Sequence, residues 1–155
     1  MDIETMTGLG RFGAAAALGL AAIGSSLGVG AAGPAAVGAW KKCFAQGKAA
    51  PLLLITFIAA PLSQTIYGMI VMNNLIKVAV ARPTDWPWMI SAGLFGGWAI
   101  GVSAWFQGVI GAAASDAQAE TGKGFGNYLM ALGIIETVAV FVMVFVIAAV
   151  KLLGP

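Results

Sequence analysis

The sequence predicts an all-α membrane protein of four transmembrane helices, arranged as two duplicated helical hairpins. Three observations predict it. First, the 155 residues are 60% hydrophobic and 9% charged, and the mean hydropathy is +0.94. A soluble domain carries roughly 25% charged residues and could not cover its surface with so few. Second, four apolar stretches reach the about 20 residues that a helix needs to cross a bilayer. They cover about 12–39, 51–76, 86–114 and 128–153. Third, the two halves, 1–80 and 81–155, repeat the same order of features.

The first span is rich in Gly and Ala and carries Leu27-Gly28-Val29-Gly30-Ala31-Ala32. Lys41, Lys42 and Lys48 lie in the loop that ends it. The second span is bulkier and holds the polar pair Gln64-Thr65. Pro61, with no N–H, disturbs that helix one turn before the pair. A break at 77–85, with Arg82-Pro83, precedes the third span, which repeats the small-residue character in Gln107-Gly108-Val109-Ile110-Gly111-Ala112. A polar, Gly-rich loop over 116–127 leads to the fourth span, which holds the pair Glu136-Thr137. Parallel repeats of a helical hairpin explain this order. Trp40, Trp86, Trp88 and Tyr128 stand near span ends, as an aromatic belt does.

The acidic start Met1-Asp2-Ile3-Glu4 does not read as a secretory signal, which needs Lys or Arg there. The cations divide evenly between the two sides. The cluster Lys41, Lys42 and Lys48 favours cytoplasmic placement of loops one and three. Lys77 and Lys151, at span ends, are placed to snorkel to water.

Composition also excludes function classes. Eight scattered Lys and Arg against six Asp and Glu give a net charge of +2, too weak for a nucleic-acid partner. With no His, neither a Ser-His-Asp triad nor a His-ligated metal site can form. The single cysteine, Cys43, cannot make an internal disulfide. There is no phosphate loop of the G-x-x-x-x-G-K-[ST] type, so the chain has no ATP-hydrolysing residues of its own.

Small residues recur every four positions at Gly24, Gly28 and Ala32, and again at Gly93, Gly97 and Gly101. Such stripes let helix backbones approach closely. They fit pairing inside one bundle, and they equally fit thin helices lining the inner wall of a tightly curved ring.

Glu136 is the only acidic residue inside a span. A carboxylate there costs a few kcal/mol at least, so it is expected to be protonated, paired or bound to a cation. No Lys or Arg lies at its depth. Oxygen does: folding the hairpin brings Gln107 level with Glu136, and the duplication brings Gln64 level as well. Ser63, Gln64 and Tyr67 share one face of the second span. One carboxylate with neutral oxygens suits a hard monovalent ion, sodium above all, better than Ca²⁺ or Mg²⁺.

These residues carry a family resemblance. In Pro61-Leu62-Ser63-Gln64-Thr65-Ile66-Tyr67-Gly68, Phe106-Gln107-Gly108 and Leu132-Gly133-Ile134-Ile135-Glu136, the chain resembles the proteolipid (K or c) subunit of V-type ATPases, in particular the bacterial sodium-translocating kind. The resemblance covers essentially the whole chain. It implies a homo-oligomeric rotor ring in a bacterial-type cell membrane, surrounded by lipid. A stator membrane subunit and a central-stalk subunit are the implied partners. It implies one Na⁺ per copy, with H⁺ as the alternative cargo. The implied ligands are Glu136, Gln64, Gln107, Ser63 and the carbonyl of Ala60, and Tyr67 is the implied hydrogen-bond donor to the glutamate. Two positions depart from the family pattern. Ser63 stands where Thr is usual and lacks the methyl that fixes the rotamer, and Ala60 stands where Leu is usual. Two other classes of function compete: a small four-helix cation or drug exporter, and a structural or channel-forming protein with no coupled ion. An exporter would want aromatics around the acid, and only Tyr67 is near it.

Overall fold

The computed structural model describes residues 1–152, with side chains through Val150. The expected end of the fourth span at Leu153 and the side chain of Lys151 lie outside the described residues. Four helices are long and apolar enough to cross a membrane: Ile3–Ala45, Leu54–Ala81, Pro83–Thr121 and Phe125–Val150. The described residues contain no strand.

Helix α1 runs over Ile3–Ala45 and starts at an N-cap, where Asp2 accepts the Thr5 N–H at 2.7 Å. Pro34 lies within it without ending it. Trp40 then donates to the Pro51 carbonyl at 2.8 Å and ties loop one down. The second span begins at Leu54, three residues after Pro51, and has three parts. Helix α2 covers Leu54–Ala59, a 3-10 turn covers Ala60–Leu62, and α3 covers Ser63–Ala81. The tightening falls at Pro61, which cannot bond back to the Phe57 carbonyl. Helix α3 continues past Ile76 until Arg82, at φ −140°, leaves the helical conformation, which a following proline disfavours.

Helix α4 runs over Trp86–Thr121 and α5 over Phe125–Leu152. Residues 116–121, expected in the third loop, are thus helical. Their polar side chains do not stop the helix, since the Thr121 hydroxyl bonds back to the Ala117 carbonyl at 2.8 Å and Glu120 pairs with Lys42. The loop is confined to Gly122–Gly124, whose glycines take φ of +66° and +90° at its ends, values that other residues rarely adopt.

The helices pack in a diamond. α1 lies against α4 and α3, and α5 lies against α4 and α3. The small-residue stripes face each other inside the chain. A Cβ added at Gly24, Gly93 or Gly108 would land on backbone atoms of Gly101, Gly13 or Gly28. The stripes thus pair α1 closely with α4 inside the chain. On the other side of α1, Gly68 abuts Ala21, and Thr65 donates to Ser25 at 2.8 Å. Two apolar clusters result. One, around Val71, Leu75, Met89 and Ile100, lies toward loop two. The other, around Leu54, Phe57 and Leu132, lies toward loops one and three. Between them lies a polar layer.

Candidate ion-binding site

Three helices build the polar layer. α3 contributes Ser63, Gln64 and Tyr67, α4 contributes Gln107, and α5 contributes Glu136. Gln64 and Gln107 are fully buried. A buried amide must be hydrogen-bonded or it costs free energy, and here one bond joins the two amides and their neighbours meet the rest. Gln64 Nε2 donates to Gln107 Oε1 at 2.8 Å. Gln107 Nε2 donates to the Leu132 carbonyl at 3.1 Å and to Glu136 Oε2 at 3.3 Å. Tyr67 donates from its hydroxyl to Glu136 Oε1 at 2.7 Å. Ser63 Oγ lies 3.0 Å from the Ala60 carbonyl and 3.1 Å from Gln64 Oε1, with its proton available to either acceptor.

The six residues singled out in the sequence therefore form one connected set. Glu136, Gln107, Gln64 and Tyr67 meet as the hairpin argument requires, although Gln64 reaches the carboxylate through Gln107 and not directly. Ser63 and the Ala60 carbonyl stand at the far end of the chain of bonds, brought together by the 3-10 turn that Pro61 enforces. Two further participants join them, of which only the second, a hydroxyl inside an apolar span, has a signal in residue type. One is the Leu132 carbonyl, one helical turn before Glu136, which accepts from Gln107. The other is Ser103, which donates to the Ile135 carbonyl at 2.7 Å and pins α5 to α4 beside the acid.

Glu136 is half-buried. Both its oxygens accept from neutral donors, and among the described residues no cation reaches it. The ion pairs lie at helix ends, Lys42 with Glu120 and Arg82 with Asp85. No cluster of three His, Cys, Asp or Glu occurs among the described residues. A divalent ion therefore lacks the carboxylates it usually draws. A groove of about 680 Å³ opens beside the acid, on its loop-one and loop-three side, lined by Thr56, Ala60, Ser63, Gln107, Leu132 and Glu136. The arrangement links one carboxylate to several neutral oxygen-bearing groups through a chain of hydrogen bonds, in a low-dielectric setting that strengthens each contact.

Residues 90–149 match the family model of the ATP synthase C subunit. The matched segment holds Gln107, Glu136 and most of α4 and α5. Over 134 residues the chain is 34% identical to the A-type ATP synthase subunit K of Methanocaldococcus jannaschii, an alignment covering 86% of this chain. The chain is thus similar to proteolipid c/K subunits. It spans 57% of the length of that archaeal relative.

Proposed function

We propose that the chain is a rotor-ring subunit of an A/V-type ATP synthase and carries one sodium ion per copy at Glu136. The observation that carries the reading is the environment of Glu136: a mid-span carboxylate with no cationic partner among the described residues, hydrogen-bonded to Tyr67 and Gln107 and linked through Gln107 to Gln64 and Ser63. Glu136 would supply the negative charge. The amide oxygens of Gln64 and Gln107, the Ser63 hydroxyl and the Ala60 carbonyl would supply neutral ligands once the Gln107 amide turns its oxygen, now held by Gln64, toward the carboxylate. Tyr67 would hold the carboxylate in position.

In this reading copies of the chain form a ring that turns against a stator membrane subunit and bears on a central-stalk subunit. An ion-loaded site is electrically neutral and can face lipid. An empty one bears a bare carboxylate, whose insertion cost of a few kcal/mol keeps it at the stator, where a cationic group competes for it. Moving one charge across 100 mV involves about 2.3 kcal/mol, so one carboxylate per four helices gives few ions per turn and favours ATP-driven pumping. Loops one and three, with Lys41, Lys42 and Lys48, would face the cytoplasm of a bacterial-type cell.

A proton is the alternative cargo, because protonation also neutralises a carboxylate in an apolar place. Carbodiimide labelling separates the two, because the reagent attacks a protonated carboxyl in an apolar place. Mass spectrometry should find the label on Glu136, with protection by sodium near neutral pH. Labelling that ignores sodium and falls only as pH rises refutes the sodium reading in favour of the proton.

A further inference from the structure

The ring reading, on which this inference rests, requires each copy to offer its neighbour a surface. Two lateral surfaces are open. On α4 and α5, the side chains of Phe95, Trp98, Phe106, Ile135 and Val138 line a groove of about 340 Å³ to which neither α1 nor α3 contributes. Phe95 is 66% and Phe106 50% exposed, so this surface is a ridge of bulky groups beside a groove. The other surface belongs to α1 and the start of the second span. There Ala22, Ser26, Gly30, Leu62 and Thr65 line a groove of about 440 Å³ to which neither α4 nor α5 contributes. Along it a Cβ added at Gly19, Gly30 or Gly33 would meet nothing.

The two surfaces are level. In the α1–α4 seam, Gly93 meets Gly13, Gly97 meets Ala17 and Gly108 meets Gly28. The helices run parallel, so each α4 position stands at the height of the α1 position numbered about 80 lower. Phe106 is then level with Ser26, and Phe95 with Ala15. Rotation about an axis along the helices shifts no copy along that axis, so these heights persist from one copy to the next. Ser26 spends its hydroxyl on the Ala22 carbonyl at 3.0 Å, which leaves no unpaired donor to bury beneath an aromatic ring.

The geometry points to a heterologous contact between copies, in which Phe106 of one copy seats in the groove around Ser26 and Gly30 of the next. Lipid tails are as apolar as the ridge, so the contact draws its energy from shape. A second copy is the occupant because the same chain carries the matching ridge at the matching height. The ring would then alternate two spacings: backbone against backbone inside a chain, and aromatic against small residue between chains.

The test places Ser26→Cys and Phe106→Cys together in a Cys43→Ala background and oxidises the membrane-embedded protein mildly with copper phenanthroline. Within one chain the two positions lie on opposite sides of the molecule, beyond disulfide reach. A ladder of dimers, trimers and larger species on a denaturing gel is expected, and neither single variant should give one. An intact oligomer on native gels without a ladder overturns the contact while leaving the ring. Dimers from Phe106→Cys alone also overturn it, since they mean a two-fold contact. A monomeric unmodified chain overturns the ring as well. A size exchange gives a second readout: Ser26→Phe should break the oligomer, and adding Phe106→Ala should restore it. Failure of that rescue, with Ser26→Phe still helical by circular dichroism, counts against the contact.

Discussion

Replacing Gln107 by Ala isolates the connecting group of the polar layer. Gln107 accepts from Gln64 and donates to both the Leu132 carbonyl and Glu136, at 2.8, 3.1 and 3.3 Å. Hydrogen bonds between membrane helices average about 0.6 kcal/mol, so losing three of them should lower the stability of the fold by about 2 kcal/mol. Ion binding should suffer more. A hydrogen bond or ligand to a charged group is worth about 1.5–3 kcal/mol, and each 1.4 kcal/mol is about tenfold in affinity. The sodium concentration that half-protects Glu136 from carbodiimide should therefore rise by about 10- to 100-fold. The assay is a sodium titration of labelling followed by mass spectrometry, with thermal unfolding of the same sample as the control. An unmoved midpoint in a folded protein would remove Gln107 from the binding site and leave it as a tie between helices.

Glu136→Gln should eliminate both carbodiimide labelling and ion-coupled transport while assembly on native gels is retained. Normal sodium transport by that variant contradicts the mechanism. Gly97→Leu should prevent α1 and α4 from meeting, because even a Cβ at that position falls 2.8 Å from the backbone of Ala17; a normal yield of folded protein in detergent would mean the seam is not tight. Phe57→Ala removes a fully buried ring packed on Phe125 and Tyr128. A loss of about 3–5 kcal/mol is expected for such a truncation, read as a lower unfolding temperature with little change in the sodium midpoint.

The number and order of helices were legible because hydropathy over a window of membrane thickness depends on composition alone. Helix ends were not. Residues 116–121 are polar and sit outside the apolar stretch, yet a helix leaving a membrane has no reason to stop there. It ends where Gly122 takes a left-handed conformation. The site was legible through depth. Counting residues from the loop puts Gln107 and Glu136 level, and the duplication adds Gln64. What residue types cannot disclose is the backbone's share. The Leu132 carbonyl carries no signature, and the indirect path from Gln64 through Gln107 depends on rotamers. The stripes stated that two helices approach closely without stating which two. The contacts of Gly93 and Gly108 with Gly13 and Gly28 supply that.

The seam between α1 and α4 is also an alignment device. Tyr67 and Gln64 come from one hairpin, Gln107 and Glu136 from the other, and their bonds span 2.7–3.3 Å. A slip of one residue between the hairpins is a displacement of about 1.5 Å along the helices, enough to part every bond that crosses between them. Glycine notched into glycine permits few such slips, since the backbone ridges mesh at only one setting. The precision of the polar layer in one leaf of the diamond is thus set by residues with no side chain at all, in the opposite leaf.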